Sequence, residues 1–477
     1  MATPTPVPDT DPSTAPSTKR GLELIMLAFA SVVVTTALVL VELNQQQEVT
    51  RSLLYYGAAY LALFGAAHIA VRLLAPYADP LILPCVALLN GLGLVLIHRL
   101  DLAEATAAVS VGDPIPDGNV PNQIAWTALA LGLFVVVLVL IHDHRMLARY
   151  GYTCGLVGLG LLALPGLLPS AISEVNGAKI WLRFGGLGIQ PGEFAKILLM
   201  IFVAAFLVAK RDLFTTAGRS VLGMELPRAR DLAPLLMAWG LSLGVLVLEK
   251  DLGTSLLYFG IVLVLIYIAT ERAAWMVIGL IFFVVGAMVS GMLFEHVQRR
   301  VTAWLDPFSD YDGAGYQMAQ SLFGLGTGGV FGTGLGAGRP DLVPAAHTDF
   351  ITAAIGEELG FVGLAAVLFT YLLLVMRGMR TALTVRDTFG KLLAAGLSFA
   401  VGLQVFVVVG GVTKLIPLTG LTAPFLSYGG SSLLANYILV ALLLRISHAA
   451  RSPAAPPVPR KPVAPLAEAP TEMVQRP

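Results

Sequence analysis

The chain has 477 residues, 56% of them in the set AVILMFWYC and only 13% charged, with a mean hydropathy of +0.80. A soluble domain carries roughly 25% charged residues, so this composition excludes one and points to a polytopic membrane protein. Lys plus Arg and Asp plus Glu balance at 30 each, which gives nucleic acid no electrostatic footing as a partner and leaves charge to act through its distribution among loops.

In chain order, Met1 to Ser17 is rich in Pro, Thr and Ser, and residues 1–20 are expected to form a disordered cytoplasmic tail. Lys19 and Arg20 precede an apolar run of about twenty residues without a small-residue cleavage site, hence an uncleaved first helix. Windows long enough to cross the bilayer fall near 21–43, 53–74, 80–98, 123–141, 152–169, 194–210, 232–249, 252–270, 275–294, 351–376, 390–411 and 431–447. The expected fold class is therefore an all-α integral membrane bundle of about twelve transmembrane helices. Residues 451–477, rich in Pro and Ala, read as a second cytoplasmic tail. Cys85 and Cys154 both lie in apolar runs and suit neither a disulfide framework nor a zinc site.

With both termini in the cytoplasm, most Lys and Arg fall inside, as the positive-inside bias expects. The exceptions are Arg51, Arg99, Lys179, Arg183, Lys250, Arg299, Arg300, Arg339 and Lys414, with Lys196 just inside the outer end of a helix. Most of these stand beside acidic or glycine-rich segments. Charged groups so near a bilayer usually line a cavity or pair with one another.

Gly177-Ala178-Lys179-Ile180-Trp181-Leu182-Arg183 leads into Gln190-Pro191-Gly192-Glu193-Phe194-Ala195-Lys196. Glu193 and Lys196 share a helix face, either as a local ion pair or as part of an anion site. In Glu249-Lys250-Asp251-Leu252-Gly253-Thr254-Ser255, Asp251 is either only the cap of the next helix or a functional carboxylate. The loop 295–350 holds Arg299, Arg300, Asp306 and a glycine-rich run from Gly324 to Gly338. Loops of that length tend to be functional or disordered, and its Gly and aromatic content predicts an ordered, partly re-entrant segment. The glycine run lacks a following Lys-Ser/Thr and a flanking strand, which excludes a nucleotide loop.

Thr348 and Asp349 stand where an apolar helix starts, either as cap and dipole complement or as the site of a general base. One of Glu357 and Glu358, two turns deeper, must face the bundle interior. Ser427-Tyr428-Gly429-Gly430-Ser431-Ser432 opens the last helix, as a hinge with a cap or as an N–H cradle for an anion such as phosphate.

Taken together, Gly-Ala-x-x-Trp, Gln-Pro-x-Glu-x-x-Lys, Asp-Leu-Gly-Thr-Ser, Leu-Asp-Pro followed by Gly-Tyr-Gln, Thr-Asp-Phe, Glu-Glu-Leu-Gly and Pro-x-x-Ser-Tyr-Gly-Gly-Ser-Ser resemble the SEDS family, the RodA/FtsW/SpoVE proteins, most closely its elongation members. The likeness covers roughly Gly155 to Arg445. It implies a peptidoglycan glycosyltransferase that polymerises lipid II at the outer face of the cytoplasmic membrane, with undecaprenyl-diphosphate-linked glycan as donor. It further implies Asp349 as the essential carboxylate, Glu193, Lys196 and Asp251 as polar neighbours, and a class B penicillin-binding protein, a transpeptidase, as partner, with other elongation proteins. Candidate substrate-binding groups are Lys179, Trp181, Arg183, Arg299, Arg300, Glu357, Ser427, Tyr428, Gly429, Gly430 and Ser431. The departing diphosphate needs cations or N–H donors, and Lys196, Arg183, Arg299 or Arg300 and the 427–432 turn supply candidates. A Mg2+ or Mn2+ bridging Asp349 and the diphosphate is conceivable, yet no ligand constellation demands it.

Three departures from the family pattern stand out. Ile180 occupies the place of an arginine, Glu249-Lys250-Asp251 replaces Gln-Pro-Asp, and two extra helices, about 21–75, precede a family-like core of about 80–450. The competing functional classes are a lipid II flippase, a division-type polymerase and a non-enzymatic scaffold.

Overall fold

The computed structural model describes residues 18–46, 49–175, 178–184, 187–210, 251–313 and 315–453, with scattered residues between 220 and 249. In chain order its helices are α1 (Arg20–Gln45), α2 (Arg51–Leu74), α3 (Ile82–Val111), α4 (Asn119–Leu140), α5 (Gly151–Leu167), α6 (Pro191–Ala209) and α7 (Leu252–Thr270). They continue as α8 (Ala273–Leu293), α9 (Glu295–Leu305), α10 (Tyr316–Gly328), α11 (Ile351–Glu358), α12 (Gly360–Thr384), α13 (Thr388–Val412) and α14 (Gly430–Arg451). Ten of the described helices are long and apolar enough to cross a membrane, and α5 is apolar but shorter. Most of the window 232–249 lies outside the described residues; helices stand at every other expected window.

The interior is built on α3, α13 and α14, whose apolar side chains are buried nearly all round, whereas α8 exposes most of its surface. Packing of α1 on α3, α4 on α14, α5 on α6 and α12 on α13 closes the bundle. Helices apolar on every side are what a chain solvated by lipid presents.

Most buried charges have a partner of opposite charge or a backbone group to bond. At one end Glu23, wholly buried, lies between Arg20 and Nδ1 of His68 at 2.7 Å. There Arg20 also donates to the carbonyl of Ala78, and the neighbouring Asp79 pairs with Arg451 and, at 3.8 Å, with Arg377. Arg20 and Arg451 thus share one end of the bundle. Arg445 is buried without a carboxylate; its guanidinium donates to the carbonyl of Leu74 at 2.8 Å and to that of Leu138. Those carbonyls close the last turns of α2 and α4, where the helix dipole is negative and a cation is favoured.

The expected single crossing over 351–376 is corrected: the chain forms the short α11, breaks at Leu359, and begins the crossing helix α12 at Gly360. The break has a backbone cause. Gly360 has φ +68, a conformation that L side chains rarely adopt, and it frees carbonyls that the glycine run then occupies. Thr333 N–H donates to Glu357 O at 3.0 Å and Gly334 N–H to Glu358 O at 2.9 Å, while Phe361 N–H and Val362 N–H donate back to Gly329 O and Val330 O at 2.9 and 3.1 Å. The two chains approach so closely that a Cβ on Gly332 would stand 2.2 Å from the carbonyl oxygen of Glu358. The central loop is accordingly ordered, with α9, α10 and a 3-10 turn at Pro340–Leu342 along its length.

Candidate functional site

The end of the bundle opposite Asp79 gathers most of the polar residues singled out in the sequence. Pro191 in the first turn of α6 presets the helical φ, and Glu193 follows in that turn. Lys196, one turn on, is 2% exposed; its ammonium donates to Glu193 Oε2 at 2.8 Å and to Gln404 Oε1 of α13 at 2.9 Å. Gln404 passes the connection on through Nε2 to Thr422 O at 2.9 Å, and Thr422 Oγ1 donates to Ser432 Oγ of α14 at 3.0 Å. A buried cation with these two partners ties α6 to α13 and, through Gln404, to the 417–429 segment.

Asp251 caps α7, accepting from Thr254 N–H at 2.9 Å and from Thr254 Oγ1 at 2.6 Å. Burial pushes its proton affinity up, against the two Thr254 bonds and the Arg300 guanidinium, while Glu193 nearby pushes it further up. The capping reading is therefore correct, without removing Asp251 from the site.

Arg300 links this region to Asp349. Its Nη1 donates to the carbonyls of Leu418 and Thr419 at 3.1 and 2.7 Å, and its charge acts on both Asp251 and Asp349. Asp349 is partly exposed. Burial raises its pKa above the usual carboxylate range, opposed by the Thr348 hydroxyl, its own N–H, Arg300 and His347. Thr348 Oγ1 donates to Asp349 Oδ1 at 2.8 Å. The bland expectation for Thr348 is thereby corrected: the N-cap of α11 is Phe350, with no side-chain capping bond, and the Thr348 hydroxyl serves the carboxylate instead.

The 423–432 turn seats itself on this loop. Ser427 Oγ accepts from Ala423 N–H at 2.9 Å and donates to Thr348 O, while Tyr428 N–H donates to His347 O at 2.8 Å. The Tyr428 and His347 rings meet edge to face at 5.8 Å. Ser431 Oγ accepts from Gln190 N–H at 2.9 Å, so the hydroxyls of Ser427 and Ser431 hold the fold together. What remains for a ligand is the first turn of α14, opened by Gly429 and Gly430, whose N–H groups have no intrahelical acceptor. Trp126 of α4 packs against Gly430.

Other candidates stand apart. Arg299 is exposed and pairs with Glu295 at 2.5 Å; one residue from Arg300, it points elsewhere around α9. Glu357 is buried and accepts Arg339 N–H at 2.6 Å, on a cavity of about 270 Å³ lined also by Gln320, Phe323 and Thr333. Lys179 pairs with Glu174 and Arg183 with Gly188 in two short antiparallel strand pairs; Trp181 stands between them, its backbone N–H donating to Ser173 O at 3.2 Å, and Arg183 is exposed. Lys250 lies outside the described residues. Sequence reasoning missed Gln404, an apparently ordinary glutamine in an apolar helix, and the pairing of Arg99 with Glu358 at 2.8 Å. An intramembrane polar residue was the available signal for both. Among the described residues no group of three or more His, Cys, Asp or Glu could hold a metal ion.

An apolar cleft of about 330 Å³ opens between α7, α8 and α9, lined by Leu256, Phe259, Phe283, Val297, Val301 and Ile416. Leu252 and Thr419 at its end adjoin Asp251 and the carbonyl bound by Arg300. A hydrocarbon chain fits such a cleft, with an anionic head beside the guanidinium.

A family model described as a cell cycle protein, covering FtsW, RodA and SpoVE, matches residues 79–452. The peptidoglycan glycosyltransferase RodA of Mycobacterium tuberculosis (strain ATCC 25618 / H37Rv) is 58% identical over 460 residues, 96% of this chain and 96% of its own. That of Mycobacterium leprae (strain TN) is 54% identical over 461 residues, with the same coverage. Among solved structures, a chain of a peptidoglycan synthase complex that coordinates polymerization and crosslinking aligns with a TM-score of 0.59 at 26% identity, over 78% of this chain and 98% of that one. The Thermus thermophilus rod shape determining protein RodA aligns with a TM-score of 0.50 at 28% identity, over 78% and 97%. The chain belongs to the FtsW/RodA/SpoVE family of cell cycle proteins.

Proposed function

We infer that this multi-pass membrane protein is a peptidoglycan glycosyltransferase that polymerises lipid II during cell elongation. The observation that carries the reading is the end of an apolar cleft where Leu252 follows the capping Asp251 and Thr419 is bonded through its carbonyl to Arg300, a guanidinium whose charge favours the ionised forms of Asp251 and Asp349. Asp349 is the general base: its raised proton affinity brings it closer to the working range of a base than a free carboxylate. It takes the proton of the acceptor's GlcNAc 4-hydroxyl as that oxygen attacks C1 of the donor MurNAc. The C1–O bond to the diphosphate breaks with inversion, and undecaprenyl diphosphate leaves. Arg300 and the first-turn N–H groups at Gly429 to Ser431 meet the charge that develops on the leaving group, and the cleft takes the isoprenoid.

Glu193 and Lys196 position this wall rather than contact the reacting atoms. Lys179, Trp181 and Arg183, in the short strand pairs that precede α6, are assigned to the glycan further from the reacting atoms. The site end faces outward across the cytoplasmic membrane, with both termini and the tails 1–20 and 451–477 inside, as the distribution of Lys and Arg supports. The likeness to a chain of a peptidoglycan synthase complex supports a class B penicillin-binding protein as partner.

The test is polymerisation of purified lipid II by the purified chain, with and without its cognate transpeptidase, for wild type and Asp349→Asn. Glycan strands from wild type and none from the variant support the reading. Equal polymerisation by both reduces Asp349 to a structural residue, and transfer of labelled lipid II across vesicles without polymerisation makes the protein a transporter.

A further inference from the structure

The helices α1 and α2 precede the family match, which begins at residue 79, and are more than lipid-facing additions. The last turn of α1 reaches the glycine run: Asn44 Nδ2 donates to Leu335 O and Gln45 Nε2 to Gly336 O. A Cβ on Gly336 would stand 2.9 Å from that of Asn44. From there the connection runs inward. Gly336 N–H donates to Glu358 Oε2 at 3.2 Å, and Glu358 Oε1 accepts from Arg99 Nε of α3 at 2.8 Å. Arg99 Nη2 returns to the run at Gly338 O, 2.7 Å away. In the same turn of α1, Glu42 accepts from His98 Nε2 at 3.0 Å and from Thr50 N–H at 3.0 Å, tying α1 to α3 and to the start of α2.

We propose that the outer turn of α1 is a clamp that positions Asp349 by pressing the glycine run onto α11. The run is bonded to the carbonyls of Glu357 and Glu358, the last residues of α11, and Asp349 stands two residues before its first. A helix of eight residues is about 12 Å long, so a shift at its far end is delivered to the carboxylate with little loss. Asn44 and Gln45 are positioning residues; neither touches substrate. The proposal rests on the glycosyltransferase reading for its activity readout, though not for its structural one.

The test is the double variant Asn44→Ala/Gln45→Ala in the full chain, with Asn44→Asp as an isostere that cannot donate. Leu43→Ala, on the exposed face of the same turn, is the control. We expect turnover of lipid II to fall roughly tenfold at unchanged KM, with faster amide exchange over 329–342 and an unaltered unfolding midpoint. The Asn44→Asp variant follows the same direction, and the control leaves every readout in place. Wild-type turnover and exchange in the double variant would overturn the clamp. A wild type that polymerises nothing would overturn the glycosyltransferase reading alone, and exchange over 329–342 would still decide whether α1 holds the run.

Discussion

Arg99→Met separates what the buried pair with Glu358 contributes from what it costs. Arg99 is 1% exposed and Glu358 wholly buried. The arginine donates to Glu358 Oε1 at 2.8 Å and to Gly338 O at 2.7 Å. Removing it leaves a buried carboxylate with the Gly336 N–H as its remaining partner, and an unpaired buried charge costs about 3–5 kcal/mol. Arg99→Met/Glu358→Gln removes the charge as well. The neutral amide still accepts from Gly336, so the double variant loses the bond to Gly338 O and the long, partly exposed contact of Arg99 with Asp341 at 3.8 Å, together about 1 kcal/mol. The second substitution therefore restores about 2–4 kcal/mol. Unfolding in mixed micelles, followed by labelling of the buried thiol of Cys85, measures all three. A loss below about 1 kcal/mol for Arg99→Met, or a double variant no more stable than the single, refutes the account of a desolvated, matched pair.

Asp349→Asn keeps the shape and removes the base; turnover falls by about 10²–10⁴, read as glycan length per unit time at equal lipid II binding. Because burial raises the Asp349 pKa, the acidic limb of kcat/KM lies above that of a free carboxylate, and activity is lost as pH falls through it. Thr348→Val removes the bond that favours the ionised form, so that limb moves to still higher pH; a limb that stays or moves down contradicts the assignment. Gly332→Ala places a Cβ 2.2 Å from Glu358 O at a residue with φ +82; the seam cannot close, and limited proteolysis within 329–342 should rise sharply as turnover falls.

Much of the fold was legible because hydrocarbon is an exacting solvent: an apolar run of sufficient length has few alternatives to a crossing helix. Legibility failed where the backbone itself is the partner. The apolar run over 351–376 is interrupted by charge only at Glu357 and Glu358, and nothing in it shows that Gly360 turns left-handed to meet Gly332 across the loop. Asp251, Asp349 and the 427–431 turn could be singled out locally, since each stands at a helix start. That Arg300 acts on both carboxylates could not, because it depends on α9 lying across the 417–420 segment. Arg299 illustrates the same limit, since adjacent arginines differ only in the side of the helix they occupy. Gln404 offered only its polarity inside an apolar helix as a signal; contact with Lys196 gives it a partner.

The Arg445 guanidinium, bonded to the ends of α2 and α4, bears on the order in which the protein can be made. Those two helices emerge from the ribosome early, yet their final carbonyls are met by a residue of the last crossing. The same helix brings Ser431 and Ser432 to the far end, where they meet Gln190 and Thr422. Synthesis of α14 thus closes the bundle at both ends at once. A nascent chain lacking it has neither the brace across α2 and α4 nor the bonds that tie the 422–432 turn to the start of α6, so the candidate site is assembled last.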